Sequence, residues 1–248
     1  MRFLRVMVIV VVVLGALAVG ADRWAAGYAE GRLAERIQAR QGLAGSAEVE
    51  IHGFPFLTQA LSHELEQVDI RLDGVDAVAD SRKTRLSQLR ASFRGVKLNG
   101  DYSGGTARNA EGSALITYPD LTEASQTGVK LAYGGAPDKV KVTASVEIMG
   151  RTFTRSVVST VTLVDAKDGG NGGNSGNGKG GGKLVQVRAD EVPGEGIPGI
   201  ESAIRKKTDF ERRLDGGLPG GLQLTGLTAD EAGVHLVLSG TDVSLAGS

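Results

Sequence analysis

The chain has 248 residues with 41% hydrophobic, 4% aromatic and 23% charged content, which is enough apolar side chain for a sizeable core and excludes disorder throughout. A formal net charge of -1 gives no overall pull toward nucleic acid, and the absence of cysteine excludes disulfides, thiolate catalysis and thiolate metal sites. Few aromatics against recurrent Val, Leu, Ile, Thr and Gly suit strands and turns, so the expected class is mainly β or α+β.

The chain opens MRFLRVMVIVVVVLGALAVGA, with Arg2 and Arg5 ahead of an uncharged apolar run from Val6 to Ala21. Basic residues before such a run are the layout of an export signal. Its sixteen residues fall short of the roughly 20 needed to cross a bilayer core, and Phe3 and Leu4 can lengthen it. Residues 1–21 are therefore expected to be a signal peptide, cut after small residues such as Ala16 and Ala18 or Gly20 and Ala21, or a retained transmembrane anchor. Both place residues 22–248, expected as a single domain, outside the cytoplasm, in a periplasm-like space or the cell envelope.

Asp22 is placed to cap a helix through about Arg40, with Trp24, Tyr28, Leu33 and Ile37 as its apolar stripe and Gly42 as a stop. Beyond it the period becomes two. Val49 and Ile51, then Val68, Ile70 and Leu72, then Val96 and Leu98, then Ala114, Ile116 and Tyr118 mark half-buried strands. The series continues through Val129 to Tyr133, Val140 to Ile148 and Val157 to Leu163. Gly134, Gly135 and Pro137 separate two of these, and Gly150 separates the next two, which predicts an antiparallel meander in a sheet of six or more strands.

Residues 168–182 read DGGNGGNSGNGKGGG, nine glycines in fifteen residues with no apolar side chain, the composition of a flexible loop. Strand signals on both sides make it a hairpin tip within one domain. A helix is expected next, from Pro198 to about Leu214, with Ile200, Ile204 and Phe210 inward and Arg205, Lys206, Lys207, Arg212 and Arg213 outward. Strands Leu222 to Leu227 and Val234 to Leu238 close the chain.

Chemistry is sparse. Gly173 to Gly180 imitates a phosphate-binding loop, but Gly180 stands where a hydroxyl would hold magnesium, and a strand follows where a helix N-terminus is needed. His52, His63 and His235 fall in different elements without metal-ligand spacing. The expectation is no catalytic residue, no metal and no cofactor. One local feature stands out. GFPFL, Gly53 to Leu57, sets two phenylalanines around a proline that cannot donate to a ladder and that holds Phe54 extended. The rings either fill the core, the commoner fate of apolar residues after a strand, or line a cavity mouth.

V-x-I-x-GFPFL at Val49 to Leu57, V-x-I-x-L at Val68 to Leu72, and the ending LPGGLQLTGL with GVHLVLSG together resemble the LmeA-like (DUF2993) family of actinobacterial periplasmic phospholipid-binding proteins. The likeness covers the whole exported portion and departs from the family pattern at 168–182. It implies an α+β fold in which a strongly curved antiparallel sheet wraps around a long helix, as in tubular lipid-binding (TULIP/BPI-like) domains. It further implies phospholipid as ligand, a membrane surface as partner and a role in cell-envelope glycolipid assembly. The residues fit independently, since a sheet with alternating apolar faces and few aromatics leaves room for acyl chains. Each buried methylene contributes about 0.8 kcal/mol, so affinity can come without catalytic groups. Phe54, Phe56, Leu57, Val68, Ile70, Ile200, Ile204 and Phe210 are the expected cavity or mouth residues. Arg205, Lys206, Lys207, Arg212 and Arg213 are the expected contacts to an anionic headgroup or membrane surface, the alternative being an ordinary solvated helix face.

Overall fold

The computed structural model describes residues 2–41, 45–79, 82–125, 129–148, 151–165, 183–190, 210–213 and 221–245. The first element is one continuous helix, α1 (Arg2–Gln41), roughly 60 Å long at 1.5 Å per residue. Asp22 therefore does not begin a helix. Nothing in Gly20-Ala21-Asp22 interrupts the backbone ladder, and the alanines that follow are strong helix formers. From Met7 to Ala21 every side chain is exposed, and 6% of the most apolar window is buried. The expected inward stripe is also rotated. Asp22 and Ala26 are buried, and Ala25, Ala29, Ala34 and Ile37 are half-buried against the adjoining core, while Trp24, Tyr28 and Leu33 face out. Small alanines let the helix approach the sheet closely where larger side chains would hold it off.

After α1 come β1 (Ala47–His52), a short helix α2 (Phe56–Ser62), β2 (Glu64–Ala79), β3 (Arg82–Leu98) and β4 (Gly105–Thr117). Together with the last two strands, β10 (Leu222–Ala229) and β11 (Gly233–Ser244), they form a six-stranded antiparallel sheet in the order β1-β2-β3-β4-β11-β10. The edge strand β1 is covered by α1, whose Glu30 carboxylate accepts from the Ile51 amide at 2.8 Å, satisfying a donor that an open edge would leave to a foreign strand.

This sheet is bent at defined rows. Its buried residues run Leu65, Val68, Leu72, Val75 on β2, Phe93 and Val96 on β3, and Ala107, Ala110, Ala114 on β4. Steps of three interrupt the even spacing that a regular strand requires. The registers are constant, yet the pairing skips Glu66 opposite Gly95, Gly74 opposite Ser87, and Asp242 opposite Arg108. Gly74, Gly95 and Asp242 have φ of 65, 61 and 52 degrees, a region that suits glycine and tolerates Asp. At each row the strands swap faces without losing register, so the sheet curves while its apolar residues stay on the inside.

Between β4 and β10 the chain leaves this sheet. A short helix α3 (Tyr118–Ala124) leads into a second antiparallel sheet of β5 (Val129–Tyr133), β6 (Lys139–Ile148), β7 (Arg151–Asp165), β8 (Lys183–Ala189) and β9 (Phe210–Arg213), in sequence order. The expected meander from Val129 to Leu163 is present, in a sheet of its own rather than in one continuous sheet. Asp165 pairs with Lys183 across β7 and β8. The glycine-rich 168–182 lies outside the described residues. The expected helix from Pro198 to about Leu214 is overturned at its end, since Phe210–Arg213 pair as a strand with Leu184 to Val187. A chain hydrogen-bonded to β8 cannot also close helical bonds. Its earlier part, with Ile200, Ile204, Arg205, Lys206 and Lys207, is outside the described residues.

Two apolar clusters result. One joins the second sheet, through Val142, Val157, Val161 and Val187, to Leu224, Val234 and Leu238 of β10 and β11 and to Tyr118 of α3. The other joins α1 and α2 to the opposite end of the first sheet, through Ala26, Phe56, Val68, Phe93, Val96 and Val243. Leu222 packs against both. The class is α+β with a large antiparallel sheet and an N-terminal helix. The described strands meet α1 along the stripe from Asp22 to Ile37 and do not encircle it, so the enclosed long helix of the expectation is not present among the described residues.

Candidate functional site

The segment GFPFL is where α1, α2 and the bent sheet converge. Gly53 has φ of 105 degrees, and a Cβ there would overlap the Gln59 amide, so only glycine fits. The Gln59 side chain lies across this turn and accepts from the Glu66 amide at 2.8 Å, tying α2 to β2. The Phe54–Pro55 peptide is cis. Pro55 caps α2 without a side-chain bond of its own. The first amides of a helix need acceptors, and these come from 34 and 35 residues away: the Asp22 carboxylate accepts from Phe56 at 3.0 Å and from Leu57 at 2.8 Å. This explains a carboxylate that is 3% exposed, since buried charge persists only where it is hydrogen-bonded or paired. Arg23 completes the clasp. Its guanidinium bonds Asp22 and the Gly53 carbonyl, each at 3.0 Å, and lies 5.4 Å from the Phe54 ring centroid.

The two phenylalanines therefore part company. Phe56 is buried with Val68, Phe93 and Val96, whereas Phe54 is 61% exposed. Leu57 and Leu61, one turn apart on α2, are 44% and 78% exposed. The far end of α2 is held by Tyr102, whose hydroxyl donates to the Ala60 carbonyl at 3.0 Å and whose ring stacks on His63. His63 ends the helix in the left-handed region at φ of 57 degrees.

Beside α2 an open groove of about 410 Å³ runs along the first bend of the sheet. Phe54 and Pro55 supply exposed apolar wall above the buried Leu65 and Val96, and Glu64, Glu66, Lys97 and Arg108 supply charge. Lys97 pairs with Glu64 at 3.4 Å. Arg108 lies across Gly95, whose missing side chain leaves its guanidinium room, and among the described residues it has no ion-pair partner. An apolar wall with a free guanidinium at one side is a surface for an amphiphile with an acidic head.

The sequence-predicted residues separate accordingly. Phe54, Phe56, Leu57, Val68 and Ile70 do gather at this end of the molecule, but Phe56 and Val68 are core, Ile70 is half-buried against it, and Phe54 alone of the five lines the groove. Phe210, Arg212 and Arg213 sit on β9 of the second sheet, apart from GFPFL. Sequence reasoning missed Asp22, Arg23, Gln59, Leu61 and Arg108. Asp22 and Arg23 had a visible signal, being charges placed directly where the apolar run stops. Arg108 had none, because its exposure depends on a bend that crosses β2, β3, β4 and β11.

The histidines are separate. His52 bonds Asp69 at 2.9 Å and His235 bonds Asp230 at 2.8 Å, both on the outward surface. Glu50, His52 and Asp69, of which His52 is exposed and the carboxylates half-buried, bring three ligand-type atoms within 4.8 Å of one another, and His52 and Asp69 are already bonded to each other. A family model described as LmeA-like phospholipid-binding matches residues 20–239, beginning where the apolar run ends. No curated protein and no solved structure matches the chain.

Proposed function

The chain belongs to the LmeA-like phospholipid-binding family, and on that premise we propose that it holds or carries an anionic phospholipid at the outer face of the cytoplasmic membrane, in service of cell-envelope glycolipid assembly. Residues 1–21 deliver it there and residues 22–248 act as one non-catalytic unit. The observation that carries the reading is the groove at Phe54, where an apolar wall meets Arg108, which has no ion-pair partner among the described residues. Acyl chain would lie along Phe54 and Pro55, and the phosphate would meet Arg108 as a charge-assisted pair. Arg205, Lys206, Lys207, Arg212 and Arg213 remain candidates for a second basic contact, and Ile200, Ile204 and Phe210 for further acyl contact.

Delipidated full-length protein incubated with vesicles tests this. Uptake from phosphatidylglycerol exceeding uptake from phosphatidylcholine is expected, and Arg108→Gln should reduce the difference. Equal uptake would remove the anionic preference, and no uptake from either would remove the ligand. A second reading, a partner-binding envelope protein with a filled core, is favoured by the burial of Phe56 and Val68 in packing rather than in a cavity. It predicts no lipid uptake at all.

A further inference from the structure

Phe54, in the turn before α2, and Leu57 and Leu61 on α2 are exposed large apolar side chains, and the Phe54 ring has the Arg23 guanidinium at one side. What fixes their position is the clasp. Asp22 and Arg23 hold the first turn of α2, and they are the two residues directly after Ala21, the last of the uncharged exposed run. The start of α2 is therefore level with the end of the segment whose fifteen residues from Met7 to Ala21 are all exposed. One and two turns further along α1, Trp24 and Tyr28 are 74% and 57% exposed and stack at 6.0 Å. Exposed Trp and Tyr just past an apolar helical run are the pattern of a membrane–water interface.

We propose that Leu57 and Leu61 on α2, with Phe54 in the turn before it, form a bilayer-interface contact, seated by the Asp22–Arg23 clasp in the headgroup zone of the membrane that α1 enters. The headgroup zone is roughly 5–7 Å deep on each side, which at 1.5 Å per helical residue is about three to five residues, Asp22 to about Ala26. An apolar helix face lying in that zone buries its side chains among acyl chains while the opposite face stays with the protein. Phe54 both belongs to this contact and lines the groove, so the groove mouth opens at the bilayer and a lipid can pass between them without crossing water. The inference rests on the membrane location proposed above and extends it.

The chain contains no cysteine, so single nitroxide labels can be placed cleanly on the full-length protein in phosphatidylglycerol–phosphatidylcholine vesicles. Leu61→Cys reports the α2 face. Glu231→Cys is the control, exposed in the β10–β11 turn at the other end of β11, roughly 30 Å from Val243 at 3.3 Å per residue. The expected result is higher accessibility to oxygen than to a water-soluble nickel complex at position 61, and the reverse at 231. Equal, water-like accessibility at both positions would overturn the proposal. In parallel, Leu61→Glu is expected to slow lipid loading from vesicles by about tenfold while leaving the amount bound at saturation unchanged. Unchanged loading rate counts against the interface contact. Failure of the unaltered chain to load lipid, with position 61 still in the bilayer, would instead contradict the ligand assignment and leave the contact standing.

Discussion

Asp22 shows how far a single side chain can be from the role its sequence position suggests. It follows an apolar run as a helix cap would, yet its oxygens serve two amides of a different helix. Asp22→Ala should leave those amides without acceptors, so that Phe56 and Leu57 exchange hydrogen for deuterium faster while amides of β6 do not change. The paired phenylalanines yield a contrast. Phe56→Ala is expected to cost about 3–5 kcal/mol in urea unfolding, and Phe54→Ala under about 0.5 kcal/mol, with lipid uptake falling in Phe54→Ala despite its intact stability. Tyr118 carries a pH signature. Burial, then the charge of Asp230 and Tyr133, pushes its phenol up to about 12 from 10.0, and its hydroxyl donates to the Asp230 carbonyl at 2.7 Å. Because the folded value is the higher one, its contribution is complete below pH 10 and is lost as pH rises toward 12. Tyrosinate absorbance should show one tyrosine titrating last, together with the onset of alkaline unfolding.

At the level of elements, strands with unbroken alternation were legible along their length, and bent ones only in their straight stretches, such as Val68 to Leu72 of β2 and Val96 to Leu98 of β3. Val140 to Ile148 reads directly as β6, because every second residue is apolar. Most of β3 does not, since Leu86, Leu89, Phe93 and Val96 step by three, four and three, which imitates a helix although the segment pairs on both sides as strand. The steps of three are the bends at Ser87 and Gly95, where pairing is skipped and the strand swaps faces. Periodicity alone cannot separate such a strand from a helix. Gly95→Ala tests the bend. With φ of 61 degrees and Arg108 Cβ 3.2 Å from the added methyl, it should cost about 1–2 kcal/mol. It should also displace Arg108 and weaken discrimination for anionic lipid. The segment 198–214 failed in another way, for spaced Ile and Phe suggested a helix where its end is the edge strand β9, a choice decided by pairing with a distant strand.

For the whole molecule, class and antiparallel topology were readable, whereas the division into two sheets was not, because nothing local tells β5 to leave the sheet that β4 and β11 complete. The site was legible as GFPFL and no further, since the groove needs Arg108 and Gly95 from strands far along the chain. Because β10 and β11 contribute to both apolar clusters, the two sheets should unfold together. Val96→Ala in one cluster and Val142→Ala in the other, at 1% and 0% exposure, should each cost about 2 kcal/mol and shift a single shared transition. Two separate transitions, each moved by one variant, would show independent units. Native mass spectrometry of the full-length protein extracted from membranes reads directly whether this chain holds phospholipid. Copies carrying added mass equal to phospholipid are expected, anionic species foremost, with fewer such copies in Phe54→Ala. Only lipid-free protein, both as extracted and after incubation with vesicles, would contradict that expectation.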